Sequence, residues 1–378
     1  EVNTHGSNPL ESDTDGDTIE DGAELAAGTD PSLADTDGDN LADNEEADFG
    51  VDPLVPDTDA DGCNDGFEVL AGSDPAVGGD CDIDPDSRVA VDVRSLPVGP
   101  VDAVPNFGVL LGEFVPEDGD ISVQAVEGIN ALVLDGSTFL RGPVPSEDLV
   151  GNSSRTIEAW VYNEELESEE TVISWGRRGG PNGSNIAFNH GFHNNFGAIG
   201  HWGGTGPDIG WNPDFQVEDE DPGSLGQAEE GVWTYIAYTY NNDDTTTRVY
   251  TSGAIDPEAA EPSLFSNSED VSIGEGNVPE LNTWAESEGG DPLNILIGSQ
   301  NDASGEPTGN LRGNMAIAKV TVTAGALNIG QLTSRYNADA PAFGREPLPT
   351  PGLIVDLDAT ELPLGAVSEW TNQGSLGG

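Results

Sequence analysis

The stretch Asp13-Thr14-Asp15-Gly16-Asp17-Thr18-Ile19-Glu20-Asp21-Gly22-Ala23-Glu24 occurs three times, with substitutions. It returns as Asp35-Thr36-Asp37-Gly38-Asp39-Asn40-Leu41-Ala42-Asp43-Asn44-Glu45-Glu46 and as Asp57-Thr58-Asp59-Ala60-Asp61-Gly62-Cys63-Asn64-Asp65-Gly66-Phe67-Glu68. Starts at 13, 35 and 57 make this an internal repeat of 22 residues, not a generally acidic tract. Each copy offers carboxylates at loop positions 1, 3, 5, 9 and 12, with the carbonyl of Ile19, Leu41 or Cys63 at position 7. A twelve-residue loop wraps a hard, oxygen-seeking cation with this spacing. Five carboxylates repel one another unless something strongly positive sits among them. The expected ion is Ca²⁺. The expected ligands are Asp13, Asp15, Asp17, Ile19, Asp21 and Glu24, then Asp35, Asp37, Asp39, Leu41, Asp43 and Glu46, then Asp57, Asp59, Asp61, Cys63, Asp65 and Glu68. A degenerate fourth copy keeps only Asp80, Asp82 and Asp84, which form a weaker site or simply close the array.

Around these loops the composition is acidic and loop-rich. The 378 residues carry a formal net charge of −60, and Lys319 is the one lysine among eleven basic side chains. Such a surface repels nucleic-acid phosphates and anionic lipid, so neither nucleic acid nor membrane insertion is expected. With 50 glycines, 26 prolines and 35% apolar residues, the balance favours mainly β architecture over a helical bundle. Cys63 and Cys81 are the only cysteines, a pair that reads as one structural disulfide in an oxidising compartment or as two unrelated buried thiols. The first residue is not a Met and no signal peptide leads, so residue 1 is read as following a cleavage or as lying inside a longer protein.

Short segments such as Ala23-Glu24-Leu25-Ala26-Ala27-Gly28 link the loops, and we expect each to be a helical turn ended by glycine. Asn8-Pro9, Asp30-Pro31 and Asp52-Pro53 follow as breaks, where Asn8, Asp30 and Asp52 either cap a turn or add a ligand. From about Val89 the pattern changes to short alternating strands rich in β-branched and aromatic residues, such as Thr156–Tyr162 and Val232–Tyr240. Asp135-Gly136 lies between apolar arms and reads as a two-residue hairpin turn. Many short strands without helix-period segments predict an antiparallel two-sheet sandwich, with one late helical turn between Leu327 and Tyr336.

The Asp-Thr-Asp-Gly-Asp loops, the Gly28-Thr29-Asp30-Pro31 connector and Cys63-Asn64-Asp65-Gly66-Phe67-Glu68 resemble bacterial thrombospondin type 3 repeats over roughly the first 86 residues. The resemblance implies stiff calcium-filled spacers in secreted and surface proteins. Leu134-Asp135-Gly136-Ser137, Ile157–Val161, Ile295–Ser299 and Ala316–Val320 resemble laminin G-like, concanavalin A-like jelly rolls. Trp175-Gly176-Arg177-Arg178 and Ala198–Gly203 are similar to bacterial cell-surface versions of that domain. This second resemblance implies a ligand-binding or adhesive β-sandwich and no fixed ligand. The expected division is 1–88 calcium repeats, 89–340 jelly-roll sandwich, 341–352 proline-rich linker and 353–378 the opening of a second sandwich. The tail assignment rests on Val355-Asp356, Leu362-Pro363, Gly365 and Asn372, which repeat Val91-Asp92, Leu96-Pro97, Gly99 and Asn106.

Within the sandwich, Trp202 and Trp211 can stack on a sugar ring, with Arg177 and Arg178 available to an anionic polysaccharide; the alternative is packing for the tryptophans and ion pairs for the arginines. His190, His193 and His201 offer imidazoles for zinc, without a nearby carboxylate or cysteine to complete a site. Glycoside hydrolysis needs two facing carboxylates about 5 to 10 Å apart, and no alternating strand carries such a pair. No nucleophile elbow or phosphate loop is present, so no enzymatic activity is expected. The functional expectation is an extracellular or surface-bound bacterial protein, calcium-stabilised and structural or adhesive, one period of a tandem array whose partners are other copies or modules of itself. The alternative is a carbohydrate-binding module of a larger polysaccharide-processing protein, with extracellular polysaccharide as partner.

Overall fold

The computed structural model describes residues 7–349, apart from 9, 40, 61–62, 72, 79–85, 111, 168–169, 179–184, 192–197, 201–208, 212–228, 254–261, 271–291 and 309–311. The repeats place one short helix after each acidic loop: α1 (Asp21–Ala27), α2 (Asp43–Phe49) and α3 (Asp65–Ala71). Gly28 and Gly50 end the first two in the left-handed conformation (φ 104° and 79°), which glycine adopts without steric cost. In each case two successive backbone N–H groups return to the carbonyl of Glu24 or Glu46, closing the helix end.

The strands then run as β1 (Ser87–Asp92), β2 (Gly99–Val101), β3 (Val104–Pro105), β4 (Glu113–Glu117), β5 (Ile121–Val126), β6 (Ile129–Val133), β7 (Phe139–Arg141) and β8 (Arg155–Tyr162). They continue as β9 (Thr171–Gly176), β10 (Asn185–Asn189), β11 (Ile199–Gly200), β12 (Thr234–Asn241), β13 (Thr246–Thr251), β14 (Phe265–Asp270), β15 (Leu296–Ile297) and β16 (Ala316–Ala324). One sheet has the order β14-β13-β12-β8-β16-β6-β5-β2, with β1 also paired to β16; the other has the order β11-β10-β9-β15-β7-β4-β3. All pairings are antiparallel, so this is the mainly β sandwich that the alternation predicts.

The sheets enclose one continuous core. Val89, Val91 and Val93, Ile157 and Val161, and Val320 and Val322 from the first sheet belong to the same cluster as Ile173, Trp175, Ile186, Phe188 and Ile297 of the second. A second apolar cluster covers the outer face of the first sheet, where α4 (Ile329–Asp339) and a following 3₁₀ turn pack on Trp160 and Tyr235. Phe343 stacks on Trp160 at 4.1 Å between ring centroids, with Tyr336 stacked at 5.7 Å. Asn328 and Gln331 cap α4 reciprocally. Cover on both faces explains why β8 and β12 are buried along nearly their whole length.

The Asp135-Gly136 turn is a correction. It does not close a hairpin, because β6 lies in the nine-stranded sheet and β7 in the seven-stranded one. The Asp135 carboxylate accepts from the Ser137 N–H and hydroxyl, folding the chain locally while the arms diverge into different sheets. A true two-residue hairpin forms at Glu127-Gly128, both in the left-handed region, between β5 and β6.

Candidate metal centre

The three repeats build their loops with the same side-chain bonds. The Thr14, Thr36 and Thr58 N–H groups donate to the carboxylates of Asp21, Asp43 and Asp65, seven residues on. The Thr14, Thr36 and Thr58 hydroxyls accept from the backbone N–H of Asn8, Asp30 and Asp52. Asn8, Asp30 and Asp52 in turn accept from the N–H two residues ahead, so they serve as turn caps. Gly16, Gly38 and Ala60 at position 4 and Thr18 at position 6 are left-handed, which bends the loop tightly enough to turn its early carboxylates inward.

The carboxylates converge accordingly. Ligand-type oxygens of Asp13, Asp15 and Asp17 lie within 4.8 Å of one another, as do those of Asp35, Asp37 and Asp39. A third group at the same separation joins Asp17, Glu24 and Asp43, all buried, across two repeats. Asp43, at position 9, thus does not act only within its own loop. Asp21 accepts from both the N–H and the hydroxyl of Thr14, closing loop one, while Asp43 closes loop two and also faces the preceding repeat. A different contact joins the second and third repeats, where the N–H of Gly66 donates to Asp39 at 2.9 Å.

Glu24 and Glu46 are 0% and 1% exposed, and neither oxygen of either carboxylate has a hydrogen-bond partner. A buried carboxylate without a donor is strongly disfavoured. Burial first, then the neighbouring aspartates, push Glu24 up to about 7 and Glu46 up to about 9. Among oxygen donors alone, a hard divalent cation in each loop would satisfy its carboxylate, and the residues present fit calcium. Glu68 occupies the equivalent place in α3 and is also fully buried. Leu41 and Cys63 are buried at position 7, while Asp61, Asp80, Asp82 and Asp84 lie outside the described residues. Cys63 is fully buried and is not a free thiol; Cys81 lies outside the described residues.

The sandwich residues are placed differently from the expectation of an exposed sugar platform. Trp211 is 2% exposed and belongs to the core, 6.3 Å from Phe188. An indole packed between sheets takes the packing alternative of the two that the sequence leaves open. Arg177 is 9% exposed, and its Nη1 donates to the Ala303 carbonyl; the Arg178 N–H donates to the Asp302 carbonyl. Trp202, His193 and His201 lie outside the described residues. His190 is buried, with Nδ1 at 2.5 Å from Asn163 Oδ1, while Asn163 Nδ2 donates to Glu170. Burial pushes Glu170 up to about 8 and His190 down to about 3. Sequence offered His190 only as a candidate zinc ligand and did not join it to Asn163 and Glu170, polar residues at strand ends.

Comparison with known families agrees with both resemblances. The "Bacterial TSP3 repeat" family matches residues 13–34 and 57–77, and the "Concanavalin A-like lectin/glucanases superfamily" matches residues 140–287. Comparison with curated proteins finds no match. Among solved structures, domain 4 of AbnA, a GH43 extracellular arabinanase from Geobacillus stearothermophilus in complex with arabinotriose, is 18% identical with a TM-score of 0.40, covering 66% of this chain and 97% of that one. An arabinofuranosidase complexed with arabinofuranosyl-alpha-1,2-xylobiose is 11% identical with a TM-score of 0.39, covering 63% of this chain and 50% of that one. The botulinum neurotoxin serotype D binding domain is 11% identical with a TM-score of 0.38, covering 68% and 51%.

Proposed function

We propose that this chain, in which bacterial TSP3 repeats precede a laminin G-like, concanavalin A-like domain, is an extracellular or cell-surface protein of a bacterium, structural or adhesive and without enzymatic activity. Calcium stiffens the repeats into a spacer that carries the sandwich. The carrying observation is the pair Glu24 and Glu46, buried glutamates with no donor to either oxygen. Asp13, Asp15, Asp17 and Glu24 would hold one ion and Asp35, Asp37, Asp39 and Glu46 the next, with Asp43 tying the first site to the second repeat. The ion supplies charge neutralisation, which the side chains cannot supply for themselves.

Among the described residues no helix is long and apolar enough to cross a membrane. A Cys63–Cys81 disulfide would tie the end of the third repeat to the entrance of the sandwich. Other copies of the chain are the proposed partners, since the tail repeats the residues that open the sandwich. Light scattering of the whole chain, with calcium added and then chelated, tests this function. Calcium-dependent, chelator-reversible assembly is the expected result; absence of assembly together with specific binding to a glycan panel would instead make the chain a carbohydrate-binding module.

A further inference from the structure

Successive repeats meet at the same places on each seam. Asp17, at loop position 5, lies against Asp43, at position 9 of the next repeat. Thr18, at position 6, accepts from Nδ2 of Asn44, at position 10, at 3.4 Å. One repeat further on, Asp39, at position 5, accepts from the N–H of Gly66, at position 10. The charge of Asp65, at position 9, is felt at both Asp37 and Asp39. In both seams the middle of one loop therefore rests on the first turn of the following helix. Asp17 and Asp39 are both buried there.

A seam contact stabilises the two repeats it joins by the same free energy, so it has no direction in itself. The direction lies in what each loop lacks when its neighbour is disordered. Loop two keeps Asp35, Asp37, Asp39 and Glu46 without the first repeat, because all four belong to its own repeat. Loop one, without the second repeat, loses Asp43 from its buried carboxylate group and the Asn44 donor to Thr18. Loop two in turn loses the Gly66 donor to Asp39 without the third repeat. Helices of seven residues do not persist alone, so order in each repeat depends on its loop and its neighbour. The third repeat has a brace of another kind. Cys63, at position 7 of its loop, is buried and not a free thiol, and a bond to Cys81 would constrain that loop covalently.

We propose that the repeats order in reverse chain direction: the third first, the second upon the third, and the first upon the second. Calcium concentration then grades how much of the spacer is rigid, rather than switching it as a whole. The inference rests on the calcium reading of the loops and adds the order in which they fill. Hydrogen exchange of the whole chain, read by mass spectrometry along a calcium titration, follows α1, α2 and α3 separately. The expected result is three midpoints, lowest for α3 and highest for α1. Glu68→Gln should raise all three by at least roughly tenfold, the loss that follows even from removing a ligand's supporting partner. Glu24→Gln should raise the midpoint of α1 and leave that of α3 in place. Unchanged protection of β8 and β12 shows that each variant still folds. One midpoint shared by all three helices, the opposite order, or a Glu68→Gln shift confined to α3 overturns the proposal and leaves the calcium reading standing. Protection that is independent of calcium in every helix overturns both.

Discussion

The carboxylate of Asp43 lies within 4.8 Å of that of Glu24, although the two residues belong to successive repeats. Asp17 completes the group, so the carboxylate cluster of the first repeat includes a side chain of the second. Coupling of this kind makes the array more than three independent loops, because an ion bound at the seam would join neighbours. Asp43→Asn should therefore weaken calcium binding at the first repeat as well as the second. Calorimetric titration of the whole chain should show two of the binding events shifted by roughly tenfold each. Thr36→Val, which disturbs only the closure of loop two, should shift one. If Asp43→Asn also shifts only one, the seam site is wrong.

Thr18 and Ala60 hold left-handed backbone (φ 84° and 62°), a region that costs non-glycine residues about 1–2 kcal/mol. Thr18→Gly and Ala60→Gly should each stabilise the calcium-loaded array by about 0.5–1 kcal/mol, after the loss from a looser unfolded chain. Urea unfolding at saturating calcium measures this. Destabilisation by both would mean that these backbone angles are not those of the loaded loops.

Much of this architecture was legible in the sequence, and the exceptions share a cause. The 22-residue period gave the loops, the carboxylate positions and the short helices, since each depends on neighbours within about twelve residues. Alternation gave the strands for the same reason. What local pattern cannot carry is the partner across space. Asp43 reads as a ligand of its own loop, and nothing in its spacing says that Glu24 stands beside it. Asp135-Gly136 has hairpin chemistry, yet its arms pair elsewhere, because the best partners of β7 are β4 and β15. Trp211 leaves stacking and packing both open in the sequence, and only its place in the core beside Phe188 decides for packing.

Close approach of backbone gives a sharper test of the sandwich. A Cβ on Gly108 would meet the Arg88 carbonyl oxygen at 2.6 Å, where the 106–110 segment lies along β1. Neither side of that contact is a flexible side chain. Gly108→Ala should cost about 2 kcal/mol of sandwich stability, read by chemical unfolding through tryptophan fluorescence. An unchanged midpoint would show that the segment is free to move away from β1.

The Glu170–Asn163–His190 trio predicts a stability maximum between two titrations. Burial raises Glu170 to about 8, so the folded state binds its proton more tightly than the unfolded chain, and stability falls as pH rises from about 4.5 to about 8. Burial lowers His190 to about 3, so the unfolded chain binds that proton more tightly, and stability falls as pH drops from about 6.5 to about 3. At saturating calcium, Glu170→Gln should flatten the alkaline limb of the melting temperature against pH and leave the acid limb. An alkaline limb unchanged in this variant would assign the loss to another group.

The most direct measurement of the central claim is a calcium titration of the whole chain followed by far-UV circular dichroism and small-angle X-ray scattering, starting from chelated protein. Helical signal should grow and the particle should lengthen and stiffen as calcium is added, while the tryptophan environment of the sandwich stays constant. Far-UV signal and dimensions that are the same with chelator and with saturating calcium would contradict the account, because Glu24 and Glu46 would then be buried without the ion their surroundings require.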